Sequence, residues 1–287
     1  TVVIEGDRIV SVGRSRRVRV PPGSQIVNAS GSYLMPGLWD AHVHLSYLGA
    51  CALPVFVANG ITSVRDAGAR LEDIANWRKQ AAKGDLLSPH IKTAGPNLES
   101  AEWLERAWKL LPADHSLWTL GPRRAVTGSN DAAGMVDVLA GLGVDFNKFR
   151  NLPRARLEAI TDEAKRRGLA VAGHAPKGIT LAESSEAGIK SIEHAETVTL
   201  ALDSLSEQAR LRTFQTLARN GTLVTPTLIT DYASNLTPDS VALAIIADSE
   251  GTRTIGRKYV AERTISLWRL GIELKRKYQE STDRYAQ

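Results

Sequence analysis

From Pro36 onward, short apolar runs alternate with longer amphipathic ones. The short runs are LWDAHVHL, ITSVRDAG, HIKTAG, GVDFNKFR, LAVAGHAP, IKSIEHAE and TLVTPTLI, and they read as strands. Helical periodicity fills the spaces between them. Helices are predicted over about 49–59, closed by Gly60, and over LEDIANWRKQAAKG, which ends at a glycine stop. Others fall at about 130–141, in PRARLEAITDEAKRRG, over 179–187 and in LSEQARLRTFQTLARNG. Residues 97–128 read as irregular apart from AEWLERAWKLL, and the chain after about 237 as mostly helical.

Repeated βα units imply a parallel sheet, either an open doubly wound one or a closed (β/α)8 TIM-type barrel. No glycine-rich phosphate loop follows the first strand, which argues against the dinucleotide-binding version. Polar residues stand at the C-terminal ends of many strands, the layout of barrel enzymes. The expected fold class is therefore α/β, a barrel with strands one to seven present.

Residues 1–35 differ. TVVIEG and RIVSVG flank Gly6-Asp7 as a hairpin, Pro21-Pro22-Gly23 makes a turn, and QIVNASGSYLM is again strand-like. This segment is too short to close a sandwich by itself, so the expected division is 1–35 as a partial β element and 36–287 as the barrel. Arg14, Arg16, Arg17 and Arg19 fall in GRSRRVRV, where alternating arginine and valine read as the solvated face of a strand. The chain opens at Thr1 inside a strand-like run, as a fragment or processed chain would.

With 287 residues, 43% of them hydrophobic, the chain can bury a large core. The net charge of +5 comes without interleaved aromatics or a nucleic-acid module, so no nucleic-acid partner is expected. Lone Cys51 excludes an internal disulfide, and no run is long and apolar enough to cross a membrane. Compartment (cytoplasmic, or periplasmic and secreted) and homo-oligomerisation stay open.

The chemistry concentrates in histidine. His42 and His44 lie two apart on the first strand, with Asp40 two residues earlier on the same face. His174 ends the fifth strand, His194 the sixth, and Lys148 the fourth. On a barrel all five converge at one mouth. Neutral imidazole suits zinc and similar divalent ions. One pair can hold one ion and the other pair a second. A cationic lysine would repel both ions. It fits only as the neutral amine or, after reaction with carbon dioxide, as an anionic carbamate that bridges two metals. Asp40 could orient a ligand imidazole, reach a metal, or pair with an inner-barrel lysine or arginine. His90 lies at the N-terminal end of its strand and reads as structural. His115, in the loop after the third strand, could meet a substrate oxygen. Arg150 could meet a substrate carboxylate or join a surface ion pair.

PGLWDAHVHL, GITSVRDAG, VDFNKFR, VAGHAP, GIKSIEHAE and GTLVTPTL, in that order, resemble the amidohydrolase superfamily. They are most similar to its imidazolonepropionase-like metal-dependent hydrolases, which include carbamoyl-lysine dipeptidases acting on Xaa-Pro or Xaa-Arg/Lys. The resemblance implies that His42 and His44 hold the more buried metal, that Lys148 is carbamylated and bridges, and that His174 and His194 hold the second metal. It implies two divalent ions, zinc first among them, with carbon dioxide bound as the lysine carbamate. The implied activity is hydrolysis of a C–N amide bond in a dipeptide or cyclic amide, by a hydroxide that the metals generate and share. A deaminase or other cyclic-amide hydrolase of the superfamily is the alternative within the enzyme class, and a non-catalytic binding relative or inactive fragment the alternative outside it. The resemblance also makes the N-terminal segment part of a small β-sandwich. One feature departs from the pattern: no eighth strand with a Gly-Thr-Asp aspartate is legible. Thr282-Asp283 lies in a polar helical run, and Asp231 comes one strand too early. The catalytic aspartate is expected beyond Gln287, and a low rate is expected of this chain alone.

Overall fold

Gly6, at φ +60°, lets the chain reverse between β1 (Val2–Glu5) and β2 (Arg8–Val12). The two strands pair antiparallel, with a register shift between Val3 and Ile4. They belong to a unit spanning Thr1–Pro36, and Gly37–Gln287 forms a second unit. The computed structural model describes residues 1–110, 121–176, 178–231 and 237–285.

Two sequence expectations fail in the first unit. Neither QIVNASGSYLM nor the arginine-rich run is a strand. A strand needs a partner for its N–H and C=O groups, and neither run has one among the described residues. Ile26, Val27 and Tyr33 are accordingly exposed.

In the second unit β3 (Leu38–Val43), β4 (Ile61–Asp66) and β5 (His90–Thr93) pair in parallel. A further set comprises β6 (Asn97–Ser100), β7 (Arg123–Val126), β8 (Phe146–Arg150), β9 (Ala170–His174), β10 (Ser191–Glu193) and β11 (Leu223–Thr225). Its order is β11-β10-β9-β8-β6-β7, again all parallel. Strands β5 and β6 are two parts of one interrupted strand, bent at Gly95 (φ +64°). The Asp145 N–H donates to the Thr93 carbonyl at 2.8 Å and ties the start of β8 to the end of β5. The strands therefore follow one another in chain order, as in a (β/α) barrel, with β7 added beside β6. Among the described residues β11 and β3 do not pair, so the array is not closed there.

The helices are α1 (Leu45–Leu48), α2 (Ala52–Ala58), α3 (Leu71–Lys83), α4 (Ala101–Leu110), α5 (Ser129–Gly141), α6 (Arg154–Arg166), α7 (Leu181–Glu186), α8 (Ala195–Leu202), α9 (Glu207–Asn220), α10 (Leu228–Asp231), α11 (Asp239–Ala247) and α12 (Glu262–Tyr285). Outward strand residues Leu98, Phe149, Val171 and Ile192 pack with Val136 and Leu139 of α5 and Leu157 and Ile160 of α6. Val43, Val64 and Ile91 pack with Leu53, Ile74 and Trp77. Each such side chain contributes about 1.5–3 kcal/mol when fully buried.

Residues 97–110 and 121–128 hold more regular structure than their sequence suggests: β6 runs into α4, and β7 lies at 123–126. Asn97 and Glu99 put polar side chains on the inner face of β6, which hides its strand pattern. TLVTPTLI gives only a three-residue strand. Pro226 has no N–H for the ladder, Thr227 turns at φ +47°, and α10 begins.

Candidate metal centre

Alternation along β3 points Asp40, His42 and His44 into the array, while Val43 points out into the core. The same rule sends Phe146, Lys148 and Arg150 of β8 inward and Phe149 outward. His174 closes β9. Asp40, His42, His44, Lys148, Arg150, His174 and His194 all line one cavity of about 670 Å3.

The four histidine rings form a chain of contacts. His42 lies 5.3 Å from His44 and 4.7 Å from His194, centroid to centroid, and His194 lies 4.7 Å from His174. All four are held neutral. Burial pushes His42 down, and pushes His44 and His174 well below the ordinary histidine range. His194 is pushed to about 3, by burial and then by His42 and Lys148. Lys148 is wholly enclosed, and desolvation lowers it to about 7 against the pull of Glu193.

His194 reaches the cluster by an unusual route. Glu193, its neighbour, points inward from β10, so simple alternation would send His194 outward. His194 instead adopts φ +70°, ends the strand and turns its ring inward. Such a conformation costs about 1–3 kcal/mol in a non-glycine residue and persists where surrounding contacts hold it. Here Thr227 Oγ1 lies 2.7 Å from His194 Nδ1.

Sequence reasoning passed over Glu193. Its carboxylate is fully buried and takes three partners: His42 Nδ1 at 2.6 Å, Arg65 Nη2 at 2.7 Å and Ser191 Oγ at 2.6 Å. Burial alone would raise its pKa. The His42 hydrogen bond and the charges of Lys148 and Arg65 outweigh this and bring it to about 2. Arg65 crosses from β4 to reach Glu193 and Thr225, and its guanidinium lies over the Phe146 ring at 5.4 Å.

Asp40 does not take the role of orienting a ring. Its Oδ1 accepts the backbone N–H of His42 at 3.1 Å, where the β3–β4 register shifts between Asp40 and Val43. Glu193 is the partner of the imidazole, and the inner arginine Arg65 pairs with Glu193 rather than Asp40. Arg150 is not on the surface either: it lines the cavity, and burial, then Arg123, lowers its pKa to about 10 against the pull of Glu99. His90 is exposed at the start of β5. His115 lies outside the described residues.

The donor set fits divalent metal. His42 Nε2 and His44 Nδ1 are buried with no hydrogen-bond partner among the described residues. Unpaired buried nitrogens are costly, and neutral imidazole nitrogens are metal donors. The Glu193–His42 contact leaves Nε2 as the free ligand atom, the usual arrangement behind a ligating histidine. Among the described residues no three His, Cys, Asp or Glu side chains surround one point as a complete cage. Two histidines for each ion, with Lys148 as the shared further donor, would not produce such a trio.

Comparison with known proteins places the chain in a family. Over 51 residues the chain is 41% identical to an imidazolonepropionase of Anaeromyxobacter dehalogenans, a match covering 17% of this chain and 12% of that protein's length. It is similar to the structure of a prolidase complexed with N-methylphosphonate-L-proline, with 21% identity, a TM-score of 0.59, and 97% of this chain and 69% of that one covered. It is also similar to a Xaa-Pro dipeptidase with bound methionine (19% identity, TM-score 0.54, 97% and 71% covered). The A. niger ochratoxinase is similar at 18% identity and a TM-score of 0.52, with 83% and 71% covered. These structural likenesses show a shared fold. The sequence model of the amidohydrolase family matches residues 33–264, and the chain belongs to that family.

Proposed function

We propose that the protein is a two-metal hydrolase of C–N amide bonds, with a dipeptide or cyclic amide as substrate. The observation that carries this reading is the buried set of His42, His44, His174 and His194 around one cavity with the enclosed Lys148. Relatives described as prolidase and Xaa-Pro dipeptidase support the dipeptide.

His42 and His44 would hold one divalent ion, zinc first among candidates, and His174 and His194 the other. Lys148, carbamylated by carbon dioxide, would hold both. Bound metal supplies a Lewis acid and an activated water near neutral pH. The chain's own residues prepare the site. Glu193 fixes the His42 ring so that Nε2 faces the cavity, and Thr227 fixes His194. Desolvation keeps the imidazoles neutral and able to donate lone pairs, and lowers the Lys148 amine far enough that a neutral fraction is present near neutral pH. The lysine separates this reading from a one-metal deaminase, which has no use for a bridge.

Elemental analysis of the purified protein tests the proposal. About two equivalents of zinc, manganese or cobalt per chain are expected. Absence of bound metal, even after incubation with zinc and bicarbonate, would favour a non-catalytic relative.

A further inference from the structure

We propose that Asp66 is the positioning residue for His44: its buried side chain fixes the peptide that follows the histidine, and so sets where the ring presents its free nitrogen to a metal. This deepens the proposed function and rests on His44 being a ligand.

His44 stands where β3 gives way to α1. Its backbone, at φ −126° and ψ 86°, is helical on neither angle, and its side chain makes no capping hydrogen bond. The bonds that fix its direction come from the end of β4. Ala67 N–H donates to the Val43 carbonyl at 2.8 Å, and Leu45 N–H donates to Asp66 Oδ1 at 2.8 Å. Two consecutive residues thus pin the peptide before His44 and the peptide after it. Each peptide is planar, so pinning both fixes the Cα–Cβ direction between them. The ring is held from the same place. It donates to the Gly68 carbonyl, while the Gly68 N–H faces Asp66 Oδ2 at 3.4 Å. His44 Nδ1 is left buried without a partner.

Asp66 is itself tied down. Thr93 Oγ1 donates to its Oδ2 at 2.9 Å and accepts the Gly95 N–H at 3.0 Å. Gly68 is closely packed too, since a Cβ there would meet Asn97 Nδ2 at 2.9 Å. One side chain therefore joins the C-terminal ends of β3, β4 and β5. Packing alone would favour an apolar residue here, as at Val64 and Ile91 on the same outer face. Such a residue would fill the space and leave the Leu45 N–H unpaired. Glu193 holds His42 by its ring; Asp66 holds His44 chiefly by its backbone.

The test uses the chelator-treated full chain at neutral pH. Asp66→Asn keeps an oxygen for the Leu45 N–H, whereas Asp66→Leu keeps the size and loses the acceptor. Val136→Ala, in the core on α5, controls for lost stability. Zinc titrated against a competing chelator should bind Asp66→Leu about 10-fold more weakly than wild type, the lower end of what support behind a ligating histidine contributes. Asp66→Asn should recover most of that loss. Val136→Ala should show none of it, although its cavity lowers the thermal midpoint.

Metal-free chains give a second reading. In the imidazole nitrogen NMR spectrum, Asp66→Leu should shift the His44 signals and leave those of His174 in place. Thr93→Val removes one donor to Asp66 at little change in size. It should shift the same His44 signals less, and it keeps the test open if Asp66→Leu does not fold. Unchanged zinc affinity in Asp66→Leu, an equal loss in Val136→Ala, no rescue by Asp66→Asn, or His44 signals that stay fixed in Thr93→Val would each overturn the proposal. Wild type that binds zinc no better than Asp66→Leu does would sink this role alone. Wild type that binds no zinc at all would sink the two-metal hydrolase and this role with it.

Discussion

His42 Nδ1 lies 2.6 Å from Glu193 Oε2, a contact between residues 151 positions apart in the chain. It joins β3, which opens the array, to β10 near its other end, and it settles which nitrogen of His42 is free. Three donors hold Glu193 ionised in a buried position. The ring therefore meets a fixed negative charge that fixes its orientation and raises its basicity toward metal.

Glu193→Gln keeps the size and a hydrogen-bonding oxygen but removes the charge. Metal affinity should fall about 10- to 100-fold, the usual effect of changing the partner behind a ligating histidine. Zinc titration against a competing chelator measures it. Unchanged affinity in a folded variant would mean that Glu193 serves only to pair Arg65.

Much of this was legible in the sequence. Strand alternation placed His42 and His44 on one face, and the βα rhythm placed Lys148 and His174 on neighbouring strands. Glu193 was hidden by its neighbour: in IEHAE only one of two consecutive residues can face inward on a regular strand. The positive φ of His194 that brings both in is not legible from the residue type, since histidine, though enriched at positive φ, still adopts it only in a small minority of cases. Arg150 was ambiguous because its burial depends on the side chains of Glu99 and Asn151, from β6 and the loop after β8. QIVNASGSYLM has strand-like composition, but propensity alone does not supply a partner strand.

Asp66 should make stability fall with rising pH in acid. Its carboxyl is fully buried on the outer face of β4 and accepts from Leu45 N–H, Thr93 Oγ1 and Gly68 N–H. Burial nevertheless raises its pKa to about 6, against an ordinary 3.8. The folded chain therefore binds the Asp66 proton more tightly than the unfolded chain does. Its stabilising effect is complete below about 4 and is lost as pH rises through about 6. The shift corresponds to ~3 kcal/mol as an upper bound. Asp66→Asn should remove this component, so the wild-type-minus-variant difference in urea midpoint should shrink from pH 4 to pH 7. A difference that is flat with pH would show that the carboxyl titrates normally.

Gly173 should tolerate no side chain. It sits on β9, where a Cβ would fall within the ring of Phe149, itself fully buried on β8. Gly173→Ala therefore forces a core ring to move, which should cost about 1–3 kcal/mol. Phe149→Leu in the same chain should recover part of the loss by opening space. Denaturant midpoints of the single and double variants measure both effects. A Gly173→Ala chain as stable as wild type would mean that the β8–β9 interface can relax.

Lys148 should couple metal uptake to carbon dioxide. Desolvation lowers its pKa to about 7, so a substantial neutral fraction exists near neutral pH, and only the neutral amine attacks carbon dioxide. A carbamate would turn a repulsive cation into a two-oxygen anion in the cavity that the four histidines line. Zinc added to the chelated protein with bicarbonate should raise the thermal midpoint and restore about two equivalents of metal. Zinc without bicarbonate should do less. In Lys148→Met the metal content should fall towards one equivalent or none, and bicarbonate should make no difference. Equal uptake by wild type with and without bicarbonate would rule out the carbamate, while leaving the histidines free to bind metal by themselves.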